Sequence, residues 1–235
     1  MYGIFFIMLD KNYDIQSKQL VAVDCSIFGY EDGVLKLLLF HRNIEPCKDQ
    51  LSLVGGWVNE DESVENAAFR VLKKLTGLIN IAMEQVCVFS KPDRDPGGRV
   101  ITVGFNALIN IKSHNKDLVR EFGAEWFEVD SLPKLIFDHN EIFKKSLQQL
   151  RFKASYHIVG LDLLPKKFTI TQVRHLYNSI FQREFDPGNF RKKILSLNVL
   201  KRLDKKDSSK SKKGAFYYEF INPEKMSINE RIVKI

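Results

Sequence analysis

The stretch from Gly55 to Leu78 restricts the possible folds of this chain more than any other. Between Asp61 and Leu75, apolar residues recur at intervals of three and four positions, which predicts an amphipathic helix. A strand-like run ends at the pair Gly55-Gly56, and Gly77 stands where a helix commonly ends in a left-handed residue. The sequence here therefore predicts a strand, a loop, a helix and a second loop, in that order.

Further strands and a second helix surround this stretch. Val21–Ile27 and Val34–Phe40 are rich in β-branched and apolar residues, and the polar turn between them predicts a hairpin. Asp138 is placed to cap a helix that runs to about Arg151. Hairpins mixed with two helices predict an α+β domain. The remaining predicted strands span residues 51–54, 86–89, 100–111 and 126–129.

A different order of elements begins later in the chain. Thr171 is a good N-cap for one amphipathic helix, and Asp186-Pro187 combines the cap and the first-turn proline that begin a second helix. Strand-like residues 199–203 and 216–220 enclose a basic loop from Lys205 to Gly214. Two helices followed by a strand, a basic loop and a second strand predict a winged helix-turn-helix.

The charge distribution agrees with two domains, which we place at residues 1–153 and 154–235. Residues 1–150 carry 17 Lys and Arg against 21 Asp and Glu, a net charge of −4. Residues 151–235 carry 19 against 8, a net charge of +11. A basic domain attached to a mildly acidic one indicates a polyanion partner for the basic part.

Cysteine and histidine usage and hydropathy exclude several other classes. Three sparse cysteines without a CxxC pair argue against a disulfide framework or a structural zinc site and favour a reducing cytosol. The five histidines show no helical pairing that would predict a metal site. The apolar segment Tyr2–Leu9 is too short to span a bilayer and lacks the basic flank of a signal peptide. We expect it to form a strand, and we expect a cytoplasmic protein with no membrane segment.

The first motif resembles the Nudix box. Gly56, Glu62 and Arg70 follow one another with five and seven intervening residues, and Gly77-Leu78 closes a match of 23 positions. In that family, carboxylates on the helix hold Mg²⁺, which neutralises charge on the oxygens of a pyrophosphate substrate. The resemblance implies a Nudix-like α/β/α sandwich.

Three positions depart from the Nudix pattern. Val71, Lys74 and Leu75 stand where the family has its metal-binding glutamates. A lysine repels the metal and a leucine offers it no ligand, so we predict no catalytic residue, no metal and no cofactor, and hence no enzyme. The rest of the box is interpreted as structural, with an ion pair that ties the loop to the helix. These structural residues are Gly56, Glu62, Arg70 and Gly77.

A second motif, Pro92–Val100, is similar to the segment that borders the ligand pocket in Nudix proteins handling ADP-ribose. Arginines in it could pair with phosphates, and Asp95 could accept hydrogen bonds from sugar hydroxyls. The alternative is a tight turn held by local Asp–Arg pairs. The candidate effector-binding residues are Arg70, Lys74, Arg94, Asp95 and Arg99.

The helix that begins at Pro187 is the candidate recognition helix. Phe190, Ile194 and Leu197 share one face, so Lys192 lies opposite them at about 100° per residue. Lys and Arg can read guanine and Asn can read adenine, while polar residues of the preceding helix suit phosphates. The alternative is a solvated basic face on a small interaction domain. The candidate DNA-binding residues are Thr171, Gln172, Arg174, Asn189, Arg191, Lys192 and Lys193, with Lys210, Lys212 and Lys213 of the basic loop.

The two motifs in this order resemble the Nudix-related transcriptional regulator family. That resemblance implies a homodimer joined through its Nudix domains, a duplex DNA operator, and a small effector that is either ADP-ribose or a pentose such as arabinose. We favour a pentose and a role in sugar metabolism, because a neutral sugar needs no metal. Two alternatives stay open. One is an active Nudix pyrophosphohydrolase with displaced carboxylates and a basic nucleic-acid-binding domain, and the other is an architectural DNA-binding protein without an effector.

Overall fold

A computed structural model describes residues 16–159, 163–208 and 214–221 of the chain. The predicted strand within Tyr2–Leu9 and the loop lysines Lys210, Lys212 and Lys213 lie outside these residues. The first domain contains strands β1 (Leu20–Glu31), β2 (Val34–His41), β3 (Leu51–Ser52), β4 (Val54–Trp57), β5 (Glu84–Phe89), β6 (Val100–Asn110) and β7 (Ala124–Glu128), and helices α1 (Val64–Thr76), α2 (Lys116–Glu121) and α3 (His139–Tyr156).

The strands of the first domain form one mixed sheet. Its main order is β3-β2-β1-β6-β5, while β4 pairs with β1 and β7 with β2. β1 runs parallel to β6 along eleven residue pairs and antiparallel to β2. Helix α1 covers one face of the sheet and α3 covers the other. This is the predicted Nudix-like α/β/α sandwich.

The turn between β1 and β2 is shorter than the turn that the sequence predicted. The prediction ended the first strand near Ile27, but β1 continues through Gly29 to Glu31. Gly29 pairs with Lys36 within the strand, and the position requires glycine because a Cβ there would lie 2.5 Å from side-chain atoms of Ile111 and Trp126. Asp32 and Gly33 form the turn, with φ of 51° and 91°. Positive φ at both positions matches the right-handed twist of the strands and fixes the register.

The helices of the first domain differ in length from the prediction. Ser63 caps α1 by accepting a hydrogen bond from the Asn66 amide, and Gly77 ends the helix with φ of 71°. The sequence reading missed α2, a single short helix. α3 continues past Arg151 to Tyr156, so the proposed boundary after residue 153 falls within its last turns. Its Asp138 occupies the N-cap position but makes no capping hydrogen bond.

The second domain is a winged helix, as predicted. It contains β8 (Phe168–Thr169), α4 (Ile170–Phe181), α5 (Pro187–Ser196), β9 (Leu200–Asp207) and β10 (Ala215–Phe220), and its small sheet has the order β8-β10-β9. The assignment of Thr171 as the N-cap of α4 is wrong. Thr169 accepts a hydrogen bond from the Gln172 amide, and the Gln172 side chain accepts one from the Thr169 amide. This reciprocal capping box fixes the start of α4 two residues earlier.

The two domains share one hydrophobic core. Buried side chains of β1, β2 and α3 form a continuous cluster with those of α4, α5 and β10. Polar contacts also join the domains, because Arg151 of α3 donates its Nε–H to the Ile180 carbonyl of α4 at 2.9 Å. Asn110 at the end of β6 donates to the Leu163 carbonyl at 3.4 Å. The winged helix is therefore packed on the Nudix sandwich rather than tethered to it.

Candidate functional site

A pocket of about 140 Å³ opens where β1, β2 and β4 meet the loop from residue 91 to 99 and the start of α3. We call it the central pocket. It contains the Gly55-Gly56 pair that precedes the Nudix-box loop, so the box and the polar loop meet here. Its lining residues are Ala22, Asp24, Phe40, Arg42, Asn43, Ile44, Ser52, Gly55, Gly56, Trp57, Leu75, Arg94, Asp95, Val100, Phe137 and His139.

Buried charges form the floor of the central pocket. Arg94 donates its Nε–H and one Nη2–H to the Asp138 carboxylate at 2.9 and 2.7 Å, and its Nη2 lies 3.3 Å from Asp24 Oδ2. Its side chain is only 2% exposed. Burial opposes its charge, but the hydrogen bond with Asp138 and the charge of Asp24 outweigh burial and raise the pKa of Arg94. The Asp138 carboxylate makes no helix cap because it binds this arginine.

His139 completes this group of buried polar residues, which we call the floor cluster: Asp24, Arg94, Asp138 and His139. Asp24, Arg94 and His139 line the pocket, and Asp138 belongs to the cluster through its ion pair with Arg94. The Nδ1 atom of His139 accepts the Leu53 amide at 3.1 Å, which places the ring proton on Nε2, 3.5 Å from Asp24 Oδ1. Burial lowers the pKa of His139, although the two aspartates oppose this. With a neutral imidazole, one arginine against two carboxylates leaves the floor cluster with one net negative charge and no free cation.

Aromatic side chains and one further arginine form the rim. Trp57 at the end of β4 is 45% exposed, and Phe40 and Phe137 also line the pocket. The guanidinium carbon of Arg42 lies 5.4 Å from the centre of the Phe137 ring. Its Nε–H points to the carbonyls of Ile44 and Pro46, at 3.0 and 2.7 Å. Flat apolar surfaces beside an arginine suit a ligand with an aromatic base and an anionic group.

The structure brings two of the five predicted effector residues, Arg94 and Asp95, to the central pocket. Arg94 is already paired in the floor cluster with Asp24 and Asp138, which lie far from it in the sequence. The alternative of a turn held by local Asp–Arg pairs therefore does not apply to Arg94. Asp95 accepts the Gly97 amide at 2.7 Å and is half-buried.

Arg70, Lys74 and Arg99 do not line the central pocket. Arg70 pairs with Glu62 and donates to the Trp57 carbonyl, which ties the box loop to α1. The hydrogen bond from Arg70, with a second from the Asn59 amide, lowers the pKa of Glu62 to about 2. Arg99 instead donates to the Ser90 carbonyl at 2.8 Å, and Lys74 is exposed in the last turn of α1.

The residues at the family's metal-binding positions do not fit a divalent cation. Val71 is buried, and its Cγ2 would lie 2.9 Å from a Cβ added at Gly56. Lys74 carries a positive charge and Leu75 is a hydrocarbon in the pocket wall. Within residues 16–159, 163–208 and 214–221, no three His, Cys, Asp or Glu residues are grouped so that they could hold a metal ion.

Sequence reasoning missed Asp24, Arg42, Trp57, Phe137 and His139. Asp24 carried a signal, since a lone carboxylate within the apolar strand β1 needs a buried partner. The other four lie on three segments without a shared motif, and only the fold brings these segments together.

The second candidate surface is the exposed side of α5. Phe190 and Ile194 are buried, whereas Asn189, Arg191 and Lys192 are exposed, as the helical spacing predicts. Lys193 on the same helix is half-buried. Arg191 also donates to the hydroxyl of Tyr218 at 3.2 Å, which links the helix to strand β10.

Two of the three predicted DNA contacts on α4, Gln172 and Arg174, have other partners within the chain. Gln172 is part of the capping box, and Thr171 is exposed. Arg174 donates to the Phe185 carbonyl at 2.9 Å and to Glu184 at 3.1 Å, and so holds the turn between α4 and α5. Strand β9 extends to Asp207, so it includes Lys205 and Lys206, which the sequence analysis assigned to the basic loop. On β9, Arg202 and Lys206 lie over the ring of Phe216, at 4.6 and 4.5 Å from its centre. Among residues 16–159, 163–208 and 214–221, no helix is long and apolar enough to cross a membrane.

The fold and the two surfaces define a Nudix-domain protein that carries a winged helix. Residues 18–150 match the NUDIX domain family, and residues 160–220 match the NrtR DNA-binding winged helix domain. The chain is 30% identical over 205 residues to the ADPR responsive transcriptional repressor NtrR of Acinetobacter baylyi, covering 86% of this chain and 82% of that protein. The chain therefore belongs to the NrtR family of Nudix-related transcriptional regulators.

Two further proteins are similar to this chain, one over nearly its whole length and one over the Nudix domain. The structure of Shewanella oneidensis NrtR complexed with a 27mer DNA superposes with a TM-score of 0.73 at 25% identity, covering 91% of this chain and 98% of that one. The NUDIX domain of the same Shewanella protein, complexed with ADP ribose, covers 60% of this chain and 94% of its own at a TM-score of 0.50 and 29% identity. An ADP-ribose pyrophosphatase of Methanocaldococcus jannaschii is 39% identical over 135 residues, which are 57% of this chain and 76% of that protein.

Proposed function

We propose that this chain is a DNA-binding transcriptional repressor whose Nudix domain senses ADP-ribose without hydrolysing it. The observation that carries the proposal is the central pocket: Gly55, Gly56 and the polar loop meet there, yet the adjoining helix α1 has Val71, Lys74 and Leu75 at the family's metal positions. The family's winged helix follows on the same chain. A ligand pocket without a metal site, packed on a DNA-binding module, is suited to sensing.

ADP-ribose replaces the pentose that the sequence favoured. The support comes from relatives, one named as ADPR responsive and another solved with ADP ribose. The aromatic rim also fits a nucleotide better than a bare sugar, because Phe40, Trp57 and Phe137 offer surfaces on which a base can stack. Asp95 remains our candidate acceptor for ribose hydroxyls.

A pyrophosphohydrolase is the second candidate, because the Methanocaldococcus jannaschii relative carries that activity in its name. We propose that this chain lacks the activity, since hydrolysis in this family depends on helix carboxylates that are absent here. The test is turnover of ADP-ribose with Mg²⁺ or Mn²⁺, for which we expect no appreciable rate. Turnover that disappears on Glu62→Gln would refute the proposal, because it would reveal a working carboxylate site.

Duplex DNA is the proposed partner of the exposed side of α5, and the active species is a homodimer. A dimer presents two winged helices, so two half-sites about one or two helical turns apart are expected. Asn189→Ala or Lys192→Ala should each cost about 1–3 kcal/mol of binding free energy and relax base preference. Lys144→Ala, which removes an exposed lysine of α3, is the matched control and should leave the operator affinity nearly unchanged. Equal losses for all three variants would show that these side chains read no bases.

The effector acts by preferring one arrangement of the two winged helices over another. A coupling of about 1–3 kcal/mol would change operator affinity roughly 5–150-fold. The test uses the full chain to select sites from a random duplex library, then titrates a selected duplex by fluorescence anisotropy with and without ADP-ribose or L-arabinose. We expect ADP-ribose alone to shift the curve. If neither compound shifts it, the sensor proposal fails and the architectural alternative stands.

A further inference from the structure

Arg42 lines the central pocket, and its two terminal nitrogens make no hydrogen bond to the described residues. Its Nε–H points to the Ile44 and Pro46 carbonyls, and in the described residues no group accepts a hydrogen bond from its Nη1 or Nη2. The side chain is half-buried and lines the pocket. A fork of free N–H donors therefore faces the space that a ligand would occupy.

The other cations predicted for the pocket are already engaged or lie elsewhere. Arg94 is paired with Asp24 and Asp138, Arg70 is paired with Glu62, and Arg99 donates to backbone carbonyls. Burial lowers the pKa of His139, so its imidazole on the pocket floor is neutral. The floor cluster therefore offers a ligand no free positive charge, and Arg42 is the cation without a carboxylate partner among the lining residues that the structure describes.

Arg42 is also held in place before any ligand arrives. Its two backbone acceptors fix the Nε edge, and the Phe137 ring supports the guanidinium plane at 5.4 Å. A planar guanidinium held this way loses little conformational entropy on binding, and its fork matches two phosphate oxygens. Arginine–phosphate pairs of this kind are among the strongest charge-assisted hydrogen bonds.

We infer that Arg42 is the anion receptor of the central pocket and binds the diphosphate of a ligand through its guanidinium group, a task that a metal ion performs in Nudix hydrolases. This inference rests on the proposed function in assuming a nucleotide ligand, and it explains how a pyrophosphate could bind to a Nudix domain that has Val71, Lys74 and Leu75 at the family's metal positions. It makes Arg42 a specificity-determining residue: it distinguishes a nucleoside diphosphate from the uncharged nucleoside.

The experiment compares ADP with adenosine on the full chain by isothermal titration calorimetry at two ionic strengths. Wild type should bind ADP at least about tenfold more tightly than adenosine, the effect of one charge-assisted pair. Arg42→Gln should lose about tenfold in ADP affinity, keep its adenosine affinity, and show a weaker salt dependence. Arg42→Lys, which keeps the charge but not the fork, should fall between the two.

Arg120→Gln is the matched control, since it removes an exposed arginine of α2 that does not line the central pocket. Its ADP affinity should equal that of wild type, and melting temperatures confirm that each variant is folded. The inference is overturned if wild type does not favour ADP, if Arg42→Gln binds ADP like wild type, or if it loses ADP and adenosine equally. ADP is used because its discrimination by Arg42 can be read even if ADP-ribose proves not to alter DNA binding.

Discussion

Replacing Arg94 with Met should destabilise the chain strongly, because the floor cluster would then bury two carboxylates without a cation. The side chains of Arg94, Asp24 and Asp138 are 2%, 8% and 12% exposed, so solvent screens their interactions little. Methionine fills a similar volume but provides none of the three N–H contacts, at 2.7 to 3.3 Å, that arginine makes. Breaking a buried pair in this way costs about 3–5 kcal/mol.

Urea denaturation of the full chain at pH 7 measures this loss, and Arg99→Met is the control. Arg99 lies in the same loop, but it is exposed and donates only to backbone carbonyls, so its replacement should cost less than about 1 kcal/mol. Adding Asp138→Asn to Arg94→Met should restore about 1–3 kcal/mol, because one unpaired charge is removed. If Arg94→Met costs no more than Arg99→Met, the floor cluster does not contribute as the geometry indicates.

Three further predictions concern the ends of helices and the box loop. Because the pKa of Glu62 is lowered to about 2 by its hydrogen bond with Arg70, the ion pair stabilises the fold above the ordinary carboxyl pKa of 4.5 and is lost as the pH falls through 2. Glu62→Gln should therefore be less stable than wild type at pH 7, and urea midpoints should converge towards pH 2. Gly77→Ala should cost about 1–2 kcal/mol, since φ is 71° and the added Cβ would lie 2.9 Å from the Leu118 side chain; thermal melting measures this. Asp186→Ala removes the N-cap of α5 and should cost about 1 kcal/mol of stability by the same assay. The loss should be the same at high salt, because it comes from a lost hydrogen bond and not from a lost charge.

The sequence predicted the elements that depend on local patterns. Helix α1, its end at Gly77 and the Asp186-Pro187 start of α5 follow from spacing and caps within a few residues. The same local rules misplaced the start of α4, because Thr171 was chosen although Thr169 and Gln172 together form a reciprocal cap.

The floor of the pocket could not be predicted, because its residues lie far apart in the chain. Asp24 is in β1, Arg94 is in a loop, and Asp138 and His139 begin α3. No spacing rule joins these segments, and Arg94 looked like a free phosphate ligand when its partners were unknown. Arg42 was overlooked for the same reason, because its role as an unpaired cation is apparent only once the partners of the other arginines are known.

The shared hydrophobic core limits how this protein can be taken apart and recombined. A chain cut after residue 153 would break α3 within its last turns and expose the face of α4 that now packs against α3 and β2. Apolar surface uncovered in this way promotes aggregation. A chimera that joins this winged helix to the Nudix domain of another protein would also leave these apolar residues without their matching surface. The unit that can be transplanted, or inherited intact by gene fusion, is therefore the pair of domains together with the helix that joins them.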